Sequence, residues 1–195
     1  MSETVQPAAV LSPIGRVAYP NMAKARQRKP TDKPRFSLTL VWPAGTNLDE
    51  MKKLAQAAAL KKFPGQSLPS NLRSPFRPGS DKRREDGSLP EGFKADDIFV
   101  EFWRYEEHGR APVVDQSRNE MMPSDVYAGM NGRVICKASG YDVDGNKGVS
   151  MHLEAFQKHS DGEPIGAAPV NPQTAFDDIE GATDAPVTAD ASSLF

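Results

Sequence analysis

The chain has 195 residues, of which 38% are hydrophobic and 26% charged, with 17 prolines and 15 glycines. This length and composition predict one soluble domain with a modest core and long loops, and they exclude a fibre or a helical bundle. No apolar run reaches the roughly 20 residues of a membrane-spanning helix. The single cysteine, Cys136, excludes an internal disulfide and is typical of a reducing compartment.

The first 35 residues predict one short strand between two irregular segments. Residues 1–13 show no periodicity and are interpreted as a flexible arm. Residues 14–20 favour a β-strand, which Pro20 is expected to end. Residues 22–35 carry six lysines and arginines against one acid, with prolines that break a helix, and they predict an extended basic loop.

A strand and a helix follow. Residues 35–42 alternate between polar and apolar side chains, with Phe36 and Trp42 on the apolar face, which predicts a half-buried strand. Residues 46–65 then change to helical spacing, with acids in the first turn and lysines in the last. A Pro-Gly pair is expected to end this helix.

The second half of the chain predicts further strands. Residues 66–95 form a long loop, rich in proline and glycine and basic in its first part, and a loop of that length is usually functional or disordered. Residues 142–148 have the composition of a tight turn. Runs of β-branched and aromatic residues predict strands at 97–105, 111–115, 126–141 and 149–158.

These elements add up to about five or six strands and one helix. We predict a mainly β fold, in which residues 14–160 form a small, closed or partly open β-barrel with one α-helix. After Lys158 the chain has no further Lys or Arg and seven acids. Residues 161–195 are therefore expected to be an acidic, largely disordered tail.

Charge is distributed unevenly along the chain. Residues 1–84 hold 16 Lys and Arg against 5 Asp and Glu, whereas residues 85–195 hold 8 against 21. This polarity is typical of a basic surface for an anionic polymer, together with an acidic segment that opposes it. On charge alone, two solvated surfaces of opposite sign are an equally good interpretation.

The sequence contains no motif typical of an enzyme. It has no phosphate-cradling glycine-rich loop, dinucleotide fingerprint or serine elbow, and its three histidines and one cysteine make no zinc pattern. The Asp-x-Asp-Gly run at 142–145 begins like a calcium loop, but Leu153 stands where the chelating glutamate belongs, so a hairpin turn is preferred. We predict no catalytic residue, no metal and no cofactor.

A group of carboxylates leaves one enzyme class open. Asp96, Asp97, Glu101, Glu106 and Glu107 could supply ligands to a two-metal nuclease site. Asp97 and Glu101 share one face of the predicted strand without a matching cluster elsewhere, so an outward-facing charged edge is the preferred interpretation.

Basic and aromatic residues occur together near the two basic loops. Binding a single strand of nucleic acid requires cations that neutralise phosphates and flat side chains on which bases stack. The candidate phosphate contacts are Arg16, Lys24, Arg26, Arg28, Arg35, Arg73, Arg77, Arg133 and Lys137. The candidate stacking residues are Tyr19, Phe76, Tyr105, Tyr127 and Tyr141.

Each aromatic residue can also be interpreted as part of the core. Core packing is preferred for Phe36, Trp42 and Phe156. For Phe76 and Tyr105 both interpretations stay open. In the run Trp103-Arg104-Tyr105, side chains alternate across the strand, so either the two rings or Arg104 can face a groove, but not both.

Several stretches resemble one bacteriophage family. In chain order they are "IGRVAYPNM", "PRFSLTLVWP", "SPFRPGSDKR", "APVVDQSRN" and, most specifically, "VYAGMNGRV" followed by "GNKGVSMHLEAFQKHSDGEPIG". The chain from about residue 14 to 168 is similar to a family of phage single-stranded DNA-binding proteins that was formerly a domain of unknown function.

This resemblance implies a five-stranded barrel of the oligonucleotide/oligosaccharide-binding (OB) type. It also implies single-stranded DNA as the partner, bound without strong sequence preference during phage replication, recombination or repair in the cytoplasm of the infected bacterium. It supplies no catalytic residue and no oligomeric state. The alternatives are a metal-dependent nuclease acting on single strands and a noncatalytic interaction or inhibitor protein whose acidic tail mimics DNA.

The chain ends in "DAPVTADASSLF", a polar segment with two apolar residues at its tip. Similar acidic tails with a terminal aromatic occur in unrelated single-strand coat proteins. The acids can compete for an empty basic groove, and an apolar tip with the terminal carboxylate can dock into a pocket of a replication or recombination protein. The candidate partner-binding residues are Asp184, Asp190, Leu194 and Phe195, and a frayed end without function is the alternative.

Overall fold

The computed structural model describes residues 9–65 and 67–166. Within them it contains one α-helix and eight β-strands in a single sheet, which confirms the predicted mainly β fold. No helix in those two ranges combines the length and hydropathy that crossing a membrane requires. In chain order the elements are β1 (Val10–Leu11), β2 (Gly15–Arg26), β3 (Arg35–Trp42), α1 (Asp49–Lys62), β4 (Arg77–Pro78), β5 (Ile98–Tyr105), β6 (Val113–Val114), β7 (Asn131–Val143) and β8 (Asn146–Ser160).

Five of these strands close into a barrel. Around the ring they follow the order β2, β3, β5, β8, β7, and β7 pairs again with β2. Every pairing in the ring is antiparallel except the one between β5 and β8. The fifth barrel strand thus lies between the third and the fourth, as in the Greek-key barrel of the OB fold. This arrangement confirms the predicted five-stranded barrel.

The core lies between the inner faces of the barrel strands and helix α1. Alternate residues of β3 point inward, and Phe36 and Trp42 are buried as predicted, as is Phe156 on β8. Trp42 meets the ring of Phe102 edge-on, with 6.5 Å between the centroids. Burying one such large apolar side chain contributes about 1.5–3 kcal/mol. The helix adds Met51, Ala55 and Ala59 to this core.

Strand β2 is longer than the sequence predicts. Pro20 does not end it, and the strand continues to Arg26. Its pairing with β3 is irregular on both sides of Asn21, and Tyr19 has a positive φ of 48°. A bulge accommodates proline, because the missing N–H is not needed in the ladder there. The basic segment predicted as one loop is therefore strand up to Arg26, and only residues 27–34 form the loop.

Segments at both ends of the predicted barrel domain contact it. In the segment interpreted as an arm, β1 pairs with β7, and the buried Ser12 accepts a hydrogen bond from the Val134 N–H at 3.0 Å. Beyond residue 160, the Tyr127 hydroxyl donates to Asp161 at 2.9 Å. The tail candidates Asp184, Asp190, Leu194 and Phe195 lie outside the described residues.

Candidate nucleic-acid interface

A groove of about 930 Å³ crosses the outer face of the barrel. Its floor is formed by the outward-facing side chains of β5 and by Arg35 at the start of β3, together with the adjoining parts of β7 and β8. One wall is the loop 27–34, which joins the first and second barrel strands, and the other is the β7–β8 hairpin. In OB barrels, oligonucleotides bind to the face of the second and third strands and to the loops at these two positions.

Two aromatic rings lie on the groove floor. Trp103 and Tyr105 project from alternate positions of β5, with 4.7 Å between their centroids, and both are half-buried. His152 on the neighbouring β8 contacts Trp103 at 4.5 Å between centroids. Arg104 does not line this groove and donates hydrogen bonds to the carbonyls of residues 108–109. The rings, rather than Arg104, therefore face the groove.

Basic side chains surround these rings. They are Arg28 in the loop 27–34, Arg35 at the start of β3, Arg77 in β4, and Lys82. The Arg35 guanidinium lies 5.2 Å from the centre of the Trp103 ring, and burial, followed by repulsion from Arg28, lowers the pKa of Arg35. Lys82 Nζ lies 5.0 Å from the Tyr19 ring and 4.9 Å from the Phe99 ring, and burial lowers its pKa. Both cations have lost part of their hydration, so a phosphate oxygen would interact with them more strongly than in open water.

One carboxylate interrupts this basic surface. Glu101 projects from β5 into the groove, and Arg28 binds both of its oxygens. Arg35 Nη2 lies 3.6 Å from Glu101 Oε1. The Glu101 side chain is 33% exposed, so this cluster of three charges is open to a ligand. Among the groove-lining residues in the described part of the chain, Glu101 is the single acid.

The hairpin wall presents Tyr141 to the groove. Asp144 and Gly145 have φ values of 50° and 79°, as a two-residue type I′ turn requires, which confirms the predicted turn. Tyr141 pairs with Gly148 across the hairpin, and a Cβ at Gly148 would lie 2.5 Å from the Tyr141 hydroxyl. The ring of Tyr141 therefore packs on bare backbone, which only glycine provides.

A smaller pocket of about 260 Å³ continues the groove toward β2. It shares Arg28, Arg35, Lys82 and Glu101 with the groove and adds Tyr19 and Arg26. The Tyr19 ring stacks on Phe93, with 5.8 Å between centroids and 26° between planes, and Tyr19 remains 47% exposed. The pocket therefore offers a further aromatic surface beside the same cations.

The structure brings together about half of the predicted contacts. Lys137 lies in a depression next to the groove, where it pairs with Glu154 at 3.4 Å. Lys24 and Arg73 are exposed, and the Arg73 backbone bonds to Lys147 and Val149 of the hairpin. The predicted residues in the groove are Arg28, Arg35, Arg77, Tyr105 and Tyr141, and those in the smaller pocket include Tyr19 and Arg26.

Four other predicted contacts lie away from the groove. Arg16 donates to the Gly92 carbonyl and lines a separate pocket. The Arg133 guanidinium donates to Gln157 Oε1 at 3.0 Å from Nε, and Tyr127 holds residues 161–162. Phe76 packs against the core. These side chains have structural partners within the protein.

Sequence reasoning left several groove residues out of the site, among them Trp103, Lys82 and His152. Trp103 could have been included, because the strand period of two places it on the same face as Tyr105. Lys82 lies in the basic run "DKRR". This run is separated in sequence from the predicted strands, so no local pattern indicated that Lys82 lines a groove. His152 enters through the parallel pairing of β5 with β8, which no local pattern shows.

The carboxylates considered as nuclease ligands are dispersed. Within residues 9–65 and 67–166, no group of three or more His, Cys, Asp or Glu could hold a metal ion. The expectation that Asp97 is part of an outward-facing edge is wrong. Asp97 is 4% exposed, precedes β5, and accepts a hydrogen bond from the Lys94 N–H at 2.9 Å.

Comparison with known proteins found solved structures with a similar fold. One solved structure, "Single-stranded DNA-binding protein from bacteriophage Enc34 in complex with ssDNA", has 18% identity and a TM-score of 0.62, over 85% of this chain and 100% of that one. Another, gp2.5, a single-stranded DNA-binding protein encoded by bacteriophage T7, has 16% identity and a TM-score of 0.55, over 91% and 98% of the two chains. At these identities the likeness shows the fold.

No curated protein matches the chain in sequence. A family model described as "Enterobacter phage Enc34, ssDNA-binding protein" matches residues 9–186, which is most of the chain. This match spans the whole barrel and every residue of the groove. The chain therefore belongs to the phage Enc34 single-stranded DNA-binding protein family.

Proposed function

We propose that the groove binds single-stranded DNA without strong sequence preference, and that the protein coats and protects such strands during phage DNA replication, recombination or repair in the cytoplasm of the infected bacterium. The observation that carries this proposal is the pair of rings, Trp103 and Tyr105, on the floor of a groove walled by cations. Every base has a flat face that can stack on such rings, which explains a sequence-independent mode. The family to which the chain belongs supports the binding of single-stranded DNA.

In the proposed mode, bases turn toward the floor and phosphates toward the cationic rim. Each base stacked on Trp103 or Tyr105 contributes about 1–3 kcal/mol. Arg28 and Arg77, whose side chains are more than half exposed, are placed to contact the backbone. Tyr19, in the smaller pocket, offers a further stacking surface beyond the end of the groove. The proposal includes no catalytic step.

Intrinsic fluorescence tests this proposal, because the two tryptophans differ in burial. Trp42 is 0% exposed, whereas Trp103 lies on the groove floor. A dT oligonucleotide of about 20 nucleotides, longer than the roughly 4–16 that one OB barrel covers, should quench the emission. Trp103→Phe should bind with little loss but without quenching, and Trp103→Ala should bind about 5- to 150-fold more weakly, as the loss of one stacked base predicts.

Salt and a second pair of variants complete the test. The logarithm of the binding constant should fall with the logarithm of salt concentration, by about 0.7 per phosphate contacted. Arg35→Ala should reduce affinity and this slope, while Arg133→Ala, which removes a guanidinium outside the groove, should change neither. Binding that does not respond to salt, or equal losses in the two arginine variants, would contradict the proposed groove.

A further inference from the structure

Glu101 occupies a place in the groove where a negative charge opposes the proposed ligand. It lies on the same face of β5 as Phe99 and Trp103, so it is part of the floor on which bases would stack. Its carboxylate is held there by Arg28, which comes from the opposing loop, and by Arg35. The position is therefore fixed by contacts within the protein.

A fixed carboxylate at this point treats phosphates and bases differently. A phosphate that approaches the floor meets the Glu101 carboxylate, which repels it and already occupies Arg28 and Arg35, the cations that would otherwise attract it there. An uncharged base edge meets no such repulsion, and the amino groups of cytosine and adenine can donate hydrogen bonds to a carboxylate. The floor around Glu101 thus accepts bases and rejects phosphates, which are left to the exposed cations Arg28 and Arg77 at the rim.

We propose that Glu101 makes the groove selective for single strands over duplex DNA. This inference rests on the proposed function. A single strand can rotate its bases toward Trp103 and Tyr105 and keep its phosphates at the rim. A duplex keeps its bases paired and presents phosphates on its outer surface, so it brings negative charge toward Glu101. Discrimination by a repulsive element against the unwanted ligand is common at specific interfaces.

The test compares two ligands of one sequence on two proteins. A labelled strand of about 20 nucleotides, chosen without self-complementarity and longer than one OB barrel covers, is titrated by fluorescence anisotropy as a single strand and as its duplex. Wild-type protein should bind the single strand more tightly. In Glu101→Gln the duplex affinity should rise at least about fivefold more than the single-strand affinity, because the repulsion is removed while the stacking rings remain.

Two further variants separate charge from structure. Glu50→Gln removes an equal charge from helix α1, where Glu50 pairs with Lys53 at 2.8 Å, and it should leave the selectivity ratio unchanged. Glu101→Asp keeps the charge on the floor but shortens the side chain, so it should keep the ratio even if the contact with Arg28 is lost. The inference would be overturned if Glu101→Gln had the same ratio of single-strand to duplex affinity as wild type, or if this ratio fell as much in Glu101→Asp as in Glu101→Gln. Neither result would affect the proposed function. Wild-type protein that binds no single strand would overturn the proposed function and this inference with it.

Discussion

At the scale of single residues, the groove contains ionisable groups whose surroundings change when a ligand arrives. Lys82 is the clearest of them, since its ammonium group lies between two rings and has lost part of its hydration. Burial therefore lowers the pKa of Lys82 below the value of 10.5 for an ordinary lysine. A phosphate next to the ammonium group would favour the charged form and raise this pKa again.

Single-strand affinity should accordingly depend on pH through Lys82. The complex holds the Lys82 proton more tightly than the free protein, so affinity is highest while the lysine is charged in both states. It should decline as pH rises through the lowered pKa of the free protein, starting below 10.5. Lys82→Arg, which stays charged, should remove this decline, and Lys52→Arg on the exposed surface of α1 should not. Binding titrations over a series of alkaline buffers measure the difference, and parallel curves for both variants would contradict the role of Lys82.

At the scale of secondary-structure elements, a short strand that carries no periodicity extends the sheet next to the barrel. Strand β1 has only two residues, yet the Ser12 that follows it is 3% exposed and exchanges two hydrogen bonds with Val134. The Ser12 N–H donates to the Val134 carbonyl at 2.8 Å, and the Val134 N–H donates to the Ser12 hydroxyl at 3.0 Å. A side chain thus replaces one rung of the ladder at the edge of β7.

Removing that hydroxyl should destabilise the fold. In Ser12→Ala the buried N–H of Val134 loses its acceptor, and such a loss costs about 1–3 kcal/mol of unfolding free energy. Ser124→Ala serves as the control, because the Ser124 hydroxyl is exposed and a change there is expected within about 0.5 kcal/mol. Urea unfolding monitored by circular dichroism gives both values. Equal midpoints for the two variants would show that the Ser12 hydroxyl does not stabilise the fold.

The elements also show which features a sequence reveals. Strand β3 and helix α1 follow from local periodicity, because a half-buried strand must alternate and an amphipathic helix must repeat at 3.6 residues. Strand β5 follows from its run of β-branched and aromatic residues. The continuation of β2 past Pro20 could not be predicted, since the bulge depends on the pairing partner. The groove was only half predictable for the same reason. Arg35 and Tyr105 follow from local patterns, whereas the approach of His152 to Trp103 depends on which strands become neighbours.

At the scale of the whole molecule, the basic residues of the first part of the chain and the acidic residues of the second part are only partly separated in space. The cations of the first 84 residues dominate the groove, but Glu101 from the acidic half lies among them. Seven of the 21 acids in residues 85–195 lie in the tail, residues 161–195, where we propose that Asp184, Asp190, Leu194 and Phe195 bind a replication or recombination protein. Such a tail would compete for the groove when DNA is absent and be free for a partner when DNA is bound.

Deleting residues 184–195 should therefore separate the two activities. Single-strand affinity should stay the same or increase, because two acids that compete for the groove are removed. Capture of a phage replication or recombination protein should be lost, and Phe195→Ala should weaken it without changing DNA affinity. Pull-down with purified phage proteins and oligonucleotide titration measure the two effects. Weaker DNA binding with intact capture would show instead that the tail supports DNA binding by the barrel.

The closure of the barrel by β8 has a consequence for synthesis of the protein. This strand lies between β5 and β7 and is the last of the five to leave the ribosome. Until residue 160 has emerged, β5 and β7 both have a bare edge, and the ring that positions the groove cannot exist. Pairings between distant parts of a chain form slowly. Folding of the groove is thus completed only after nearly the whole domain has been translated.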